Sequence, residues 1–125
     1  MDLLADYRRA VLYFEMGDPS GAARLLEPII EAEPANSSVR QLLARAYFQS
    51  AQLGRAEEQL RVMIERDPSD HYAHHVLGRT LERLNRPTDA LTHLRIAAAM
   101  YAGNEDYRTA LRRVEERVNG RAGRS

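Results

Sequence analysis

The 125-residue chain has no cysteine, no tryptophan and no lysine, and its eighteen basic residues are all arginine. Without cysteine there is no disulfide, no thiolate nucleophile and no Cys-ligated zinc, and the redox compartment leaves no mark. Without lysine there is no Schiff base, no lysine general base and no P-loop lysine. Eighteen acidic residues balance the arginines to a net charge of zero, leaving no field to hold a phosphate backbone, so no nucleic-acid partner is expected. Long apolar runs are missing too. The longest, Ile96 to Ala102, falls far short of the ~20 residues of a membrane span. The opening MDLLADYRR is interrupted by acids and no apolar h-region follows it, so a cytoplasmic protein without a secretory signal or a membrane partner is expected. What is present is 44% hydrophobic and 29% charged residues, weighted to the helix formers Leu, Ala, Glu and Arg. That is the composition of one soluble globular domain.

The chain repeats itself with a period of 34. Residues 3–36, 37–70 and 71–104, written one above another, align Ala22, Ala56 and Ala90, then Leu26, Leu60 and Leu94. Ala10, Ala44 and Gly78 share a column, Tyr13, Tyr47 and Leu81 another, and Pro34 coincides with Pro68. Within a unit the apolar spacing is helical: Leu42, Leu43, Ala46 and Tyr47 precede a break at Leu53 and Gly54, and Ala56, Leu60, Met63 and Ile64 follow it. Each unit therefore reads as a helical hairpin, over about 2–16/19–32, 37–51/53–66 and 70–84/87–102. The small columns let two antiparallel helices approach closely. Gly17, Asp18 and Pro19 mark one hairpin turn, and Asn85, Arg86 and Pro87 another. Gly103 stops the last hairpin and Asn104 caps a further helix over 105–118, whose stripe Tyr107, Ala110, Leu111 and Val114 covers the last hairpin. Asn119 to Ser125 is expected to be a flexible tail. Pro28, inside a helix, deprives the carbonyl of Arg24 of its partner and predicts a kink.

This pattern resembles the tetratricopeptide repeat family, whose 34-residue unit carries small residues at repeat positions 8 and 20, an aromatic at 11, a large apolar residue at 24 and proline at 32. The resemblance covers residues 3–104. Asp6 and Arg9 depart from it, as polar residues of a solubilising first repeat would, and Leu81 and Ala102 replace the third unit's aromatic and proline. It implies an all-α, right-handed solenoid of three hairpins with a capping helix, one domain over residues 1–118. It also implies a concave surface lined by repeat positions 2, 5, 9, 12 and 13. Carried over, these are Leu4, Tyr7, Val11, Phe14 and Glu15; Ser38, Gln41, Arg45, Phe48 and Gln49; and Tyr72, His75, Arg79, Glu82 and Arg83. Asp106, Thr109 and Arg113 extend the row.

None of these groove residues is expected to serve the hairpin core, although Leu4, Val11 and Phe14 read equally as packing between neighbouring hairpins, and Tyr7, Phe48 and Tyr72 are expected to be exposed beside Arg45, Arg79 and Arg83. Aromatics and arginines dominate binding hot spots. The expected partner-binding set is Tyr7, Phe14, Gln41, Arg45, Phe48, Gln49, Tyr72, His75, Arg79, Arg83 and Arg113. Arg45 and Arg79 share position 9 and are expected to project side by side, so the surface suits an acidic peptide or helix with an aromatic or apolar anchor. The competing reading is that these arginines pair with Glu15, Glu82 or Asp106 and only solvate the surface. A subset of the family grips chaperone C-termini with a clamp of Lys, Asn, Asn, Lys and Arg. The corresponding Tyr7, Val11, Leu42, Tyr72 and Val76 all differ, which disfavours that ligand.

Catalysis is not expected. GxSxG, a GxGxxG after a strand, and any strand pattern are missing, and the pairs Glu57, Glu58 and Glu115, Glu116 read as solvated helix faces. His71 and His75 share a helix face at i, i+4, with His74 beside them, but no adjacent carboxylate or cysteine completes a ligand set, so neither a metal nor any cofactor is expected. The function expected is a non-catalytic adaptor or scaffold, a monomer or weak dimer. The alternative is self-association, since residues 1–36 carry three arginines against seven acids and residues 71–125 ten against six.

Overall fold

Helix starts set the architecture. In the computed structural model, which describes residues 2–122, Asp2, Asn36, Asp70 and Asn104 stand one repeat apart. Each side-chain oxygen accepts from the backbone N–H three residues on, at Ala5 (3.0 Å), Val39 (3.1 Å), Ala73 (2.9 Å) and Tyr107 (3.1 Å). Such caps satisfy N–H groups that a helix start leaves without partners. Helices alone make up the regular structure of the described residues. The chain divides into two units, Met1–Met63 and Ile64–Ser125.

The first unit holds α1 (Leu3–Glu15), α2 (Pro19–Ala32), α3 (Ser37–Gln49) and most of α4 (Leu53–Arg66). α1 packs on α2 and α2 on α3, and α1 also touches α3. Ala10, Ala22, Leu26, Ile29, Leu43, Ala44, Ala56 and Leu60 are fully buried. Arg40 ties α3 to α4, donating to Gln59 Oε1 (2.6 Å) and to the Pro34 carbonyl (2.7 Å). α2 continues through Pro28 without interruption.

The second unit holds the end of α4, α5 (His71–Arg83), α6 (Pro87–Met100) and α7 (Glu105–Ala122). α5 packs on α6 and α6 on α7, and α7 also touches α5. Leu77, Leu81, Ala90, Leu94, Ala97 and Val114 are fully buried, with Thr80 among them donating to the Val76 carbonyl (2.8 Å). The small column is mechanical here: a Cβ at Gly78 would meet the Leu94 Cγ at 2.5 Å.

The hairpin turns also repeat. Gly17, Ala51 and Asn85, one repeat apart, all adopt positive φ, at 85°, 60° and 62°. The hairpins lie where the sequence places them, to within two residues at each end. The last helix is a correction: α7 runs to Ala122, not 118, so residues 119–122 of the expected tail are helical. A glycine within a helix costs about 1 kcal/mol, and with no proline after Val118 nothing stops the helix there. Residues 123–125 lie outside the described residues.

Candidate functional site

Within the first unit, the groove positions of α1 and α3 converge. Tyr7, Val11, Phe14 and Glu15 from α1, with Ser38, Gln41, Leu42 and Arg45 from α3, line an open cleft of about 350 Å³. All but Leu42 are positions carried over from the repeat. The Arg45 guanidinium lies over the Phe14 ring, 4.8 Å from its centroid. This differs from a side chain simply projecting outward, because a weakly hydrated guanidinium gains from an aromatic face. A second cavity of about 300 Å³ shares Tyr7 and Ser38 and is walled by Leu3, Leu4, Ile29 and Val39, with Glu33 and Asn36 at its rim. An apolar recess thus adjoins the arginine-bearing cleft. Gln41 and Gln49 are exposed, while Tyr7, Phe14, Arg45 and Phe48 are half-buried.

Within the second unit, α5 and α7 face each other across a cleft of about 290 Å³ lined by His75, Arg79, Asp106, Thr109, Ala110 and Arg113. Five of these six are positions carried over from the repeat. Arg113 forks onto Glu82, donating from Nε (2.8 Å) and Nη2 (2.6 Å), a pairing that the competing reading of the sequence gives to other arginines of the row and not to this one. That bond holds the Glu82 carboxyl below the usual range and raises Arg113. Arg79 and Arg83 are exposed and Tyr72 is half-buried.

Two expectations need correcting. His75 is buried, its ring stacked on Tyr107 at 4.5 Å, so it belongs to the packing of α5 against α7 as well as to the cleft. Burial pushes its imidazole down to about 4; Arg79 and Arg113 add to the shift and Asp106 opposes it. Tyr7, Phe48 and Tyr72 are half-buried rather than exposed, as amphipathic rings beside helix faces tend to be.

The other histidines have local partners. His71 Nδ1 and the Tyr107 hydroxyl are 2.8 Å apart. His74 Nε2 lies 2.9 Å from the Pro68 carbonyl, which only accepts, so this nitrogen carries the proton. In the neutral ring Nδ1 then accepts from His93 Nδ1–H, 3.1 Å away. Among the described residues no group of three or more His, Cys, Asp or Glu is placed to hold a metal ion. Nor, among them, is any helix long and apolar enough to cross a membrane. Sequence reasoning assigned Tyr107 to an apolar stripe and missed its ring contacts with His71, His75 and Tyr101. The available signal was an aromatic at position 3 of the following unit, between the positions 1 and 5 that hold the histidines.

The helices and clefts define a helical-repeat protein. The family model described as tetratricopeptide repeat matches residues 13–79, and the chain belongs to that family. No curated protein matches it. Among solved structures it is similar to the first TPR of Spaghetti (RPAP3) bound to the HSP90 peptide SRMEEVD, with 19% identity, TM-score 0.85 and coverage of 94% of this chain and 93% of that one. MamA MSR-1 is similar at 23% identity and TM-score 0.84, covering 95% of this chain and 68% of that one. The second TPR domain of human RPAP3, in complex with the HSP70 peptide SGPTIEEVD, is 21% identical with TM-score 0.82, covering 90% and 93%.

Proposed function

We propose that this chain is a non-catalytic protein-interaction module that holds an acidic peptide or helix carrying an aromatic or apolar anchor. The observation that carries this reading is the gathering of the repeat's groove positions around open clefts in each unit, with arginine in both. In the first unit the apolar recess of Leu3, Leu4, Ile29 and Val39 suits the anchor, and Arg45 suits the acid. In the first unit Tyr7, Phe14, Gln41, Phe48 and Gln49 complete the proposed surface; in the second, Tyr72, His75, Arg79, Arg83 and Arg113 make one of its own. Two structural neighbours hold acidic chaperone peptides. The clamp positions here are Tyr7, Val11, Leu42, Tyr72 and Val76, so the acidic ligand is held by other residues and is not a chaperone tail.

Arg45→Ala combined with Arg79→Ala tests the reading by partner capture from the native host. The expected result is loss of the captured protein with a melting curve displaced by no more than a degree or two, since neither side chain is buried. Undiminished capture by the double variant would strike out the groove.

A further inference from the structure

α1 differs from the helices that repeat it in what covers its outer face. In α3, packed on α2, repeat positions 3, 6 and 10 hold Val39, Leu42 and Ala46, all buried. In α7, packed on α6, the same positions hold Tyr107, Ala110 and Val114, again buried. Short connections run these consecutive helices antiparallel. In α1 the positions hold Ala5, Arg8 and Leu12, and all three are exposed. Leu12 is 55% exposed where Ala46 and Val114 are fully buried, and Met16, at the C-cap, is 77% exposed. Scattered apolar residues on a surface need no explanation, but these keep a spacing. Ala5, Arg9, Leu12 and Met16 follow one another at four, three and four residues, the seam of a two-helix coil. Arg8 and Glu15, seven residues apart and both exposed, flank that seam on one side.

The charges select what covers it. Arg8 and Arg9 are balanced by Asp6 and Glu15, so the face has no net pull on an acidic or a basic partner. It is instead its own complement. When a second α1 lies antiparallel, residues on the same side of the seam meet, so Arg8 reaches Glu15 of the second copy and Glu15 reaches its Arg8. Neither residue forms an ion pair among the described residues, whereas Arg9 already holds Asp6 at 3.6 Å. The same register lays Met16 over Ala5 of the second copy, large on small, and the Arg9 stem along its Leu12.

We infer that the outer face of α1 is a contact with the α1 of a second copy of this chain, antiparallel and closed by two Arg8–Glu15 pairs. A two-fold contact ends at the dimer, unlike the stacking of an acidic end on a basic one, which propagates. α1 has 13 residues and is about 20 Å long, so the contact is smaller than a standard interface and the dimer is weak. Tyr7 and Phe14 lie on the far side of α1 from the seam, which leaves the groove open.

Sedimentation equilibrium up to about 1 mM protein tests the contact with Arg8→Glu, Glu15→Arg and their equimolar mixture. The parent chain should form dimers and nothing larger. Each variant alone should associate at least fivefold more weakly, because each meets like charge, and the mixture should recover the parent's association to within about twofold. Both positions are exposed, so melting temperatures should stay within a degree or two. Orientation is read from disulfides, since the chain has no cysteine of its own. Ala5→Cys mixed with Met16→Cys in a glutathione buffer should yield mostly the mixed disulfide. A parent chain that stays monomeric, a single variant that associates as well as the parent, or a mixture no better than its components would each overturn the contact. Stronger association of Arg8→Glu, with species beyond the dimer, would replace it by head-to-tail stacking. An excess of like-with-like disulfides would overturn the antiparallel arrangement.

Discussion

In the first unit an arginine lies on a phenylalanine ring beside an apolar recess; in the second, a buried imidazole lies near two guanidinium groups, one of them already forked onto a glutamate. Both clefts are built from repeat positions 5 and 9, so one backbone scaffold carries two surfaces of different chemistry. The shared parts are the small columns, the caps and the turns, which maintain helix spacing and entry angle. The divergent parts are side chains that the helix contacts leave free to vary. Divergence is largest where burial is incomplete, which is where a repeat protein acquires specificity.

The largest expected effect strikes the shared part. Ala56, the small-column residue of α4, is fully buried, and Ala56→Leu adds three carbons with no space to receive them, at a cost of about 1–3 kcal/mol. Gly78→Ala in the second unit adds one carbon against Leu94, partly offset by about 1 kcal/mol of helix propensity, and should cost less. Denaturant midpoints of the two variants give the ranking directly. An unchanged midpoint for Ala56→Leu would mean the small column does not set helix spacing in the first unit.

That column was legible in the sequence because burial of small residues is a property of the repeat, visible as Ala22, Ala56 and Ala90 at one spacing. Helix ends were legible for the same reason. The cleft walls were legible only as positions. Nothing in the spacing showed that Arg45 would lie on Phe14 or Arg113 fork onto Glu82, because rotamers and pairings depend on neighbours 31 residues apart in both cases. His75 misled most, since position 5 points toward the groove and the ring is also covered by Tyr107 from a helix beyond the three repeats. The end of α7 escaped because a glycine weakens a helix without ending it.

The second effect separates the units by pH. His75 folded titrates near 4 and unfolded near 6.5, so between these values the unfolded chain binds more protons than the native one. Stability from this residue is fully present above about 6.5 and is lost as pH falls toward 4. Discounted for solvent at the cleft, the loss is on the order of 1–2 kcal/mol. Stability measured from pH 7 to pH 4 should fall less steeply in His75→Phe than in the parent chain. The first cleft has no histidine, so a matching change in Phe14→Leu would be unexpected. Parallel pH curves for parent and His75→Phe would show that the buried imidazole is not what distinguishes the second unit.

The smallest effect compares the turns. Gly17, Ala51 and Asn85 hold the same left-handed backbone position, but only glycine does so without a Cβ clash, and asparagine tolerates it better than alanine. Ala51 is exposed, so its substitution disturbs no packing. Ala51→Gly relieves the strained φ of 60° but also loosens the unfolded chain, and the balance should stabilise the protein by about 0.5–1 kcal/mol. Asn85→Gly, in the second unit's turn, should change stability by no more than a few tenths. Gly17→Ala should lose about as much as Ala51→Gly gains, because it recreates at one turn the strain removed at the other. Thermal melts of the three variants read the series, and a loss of stability in Ala51→Gly would mean that unfolded-chain entropy outweighs the left-handed strain at this turn.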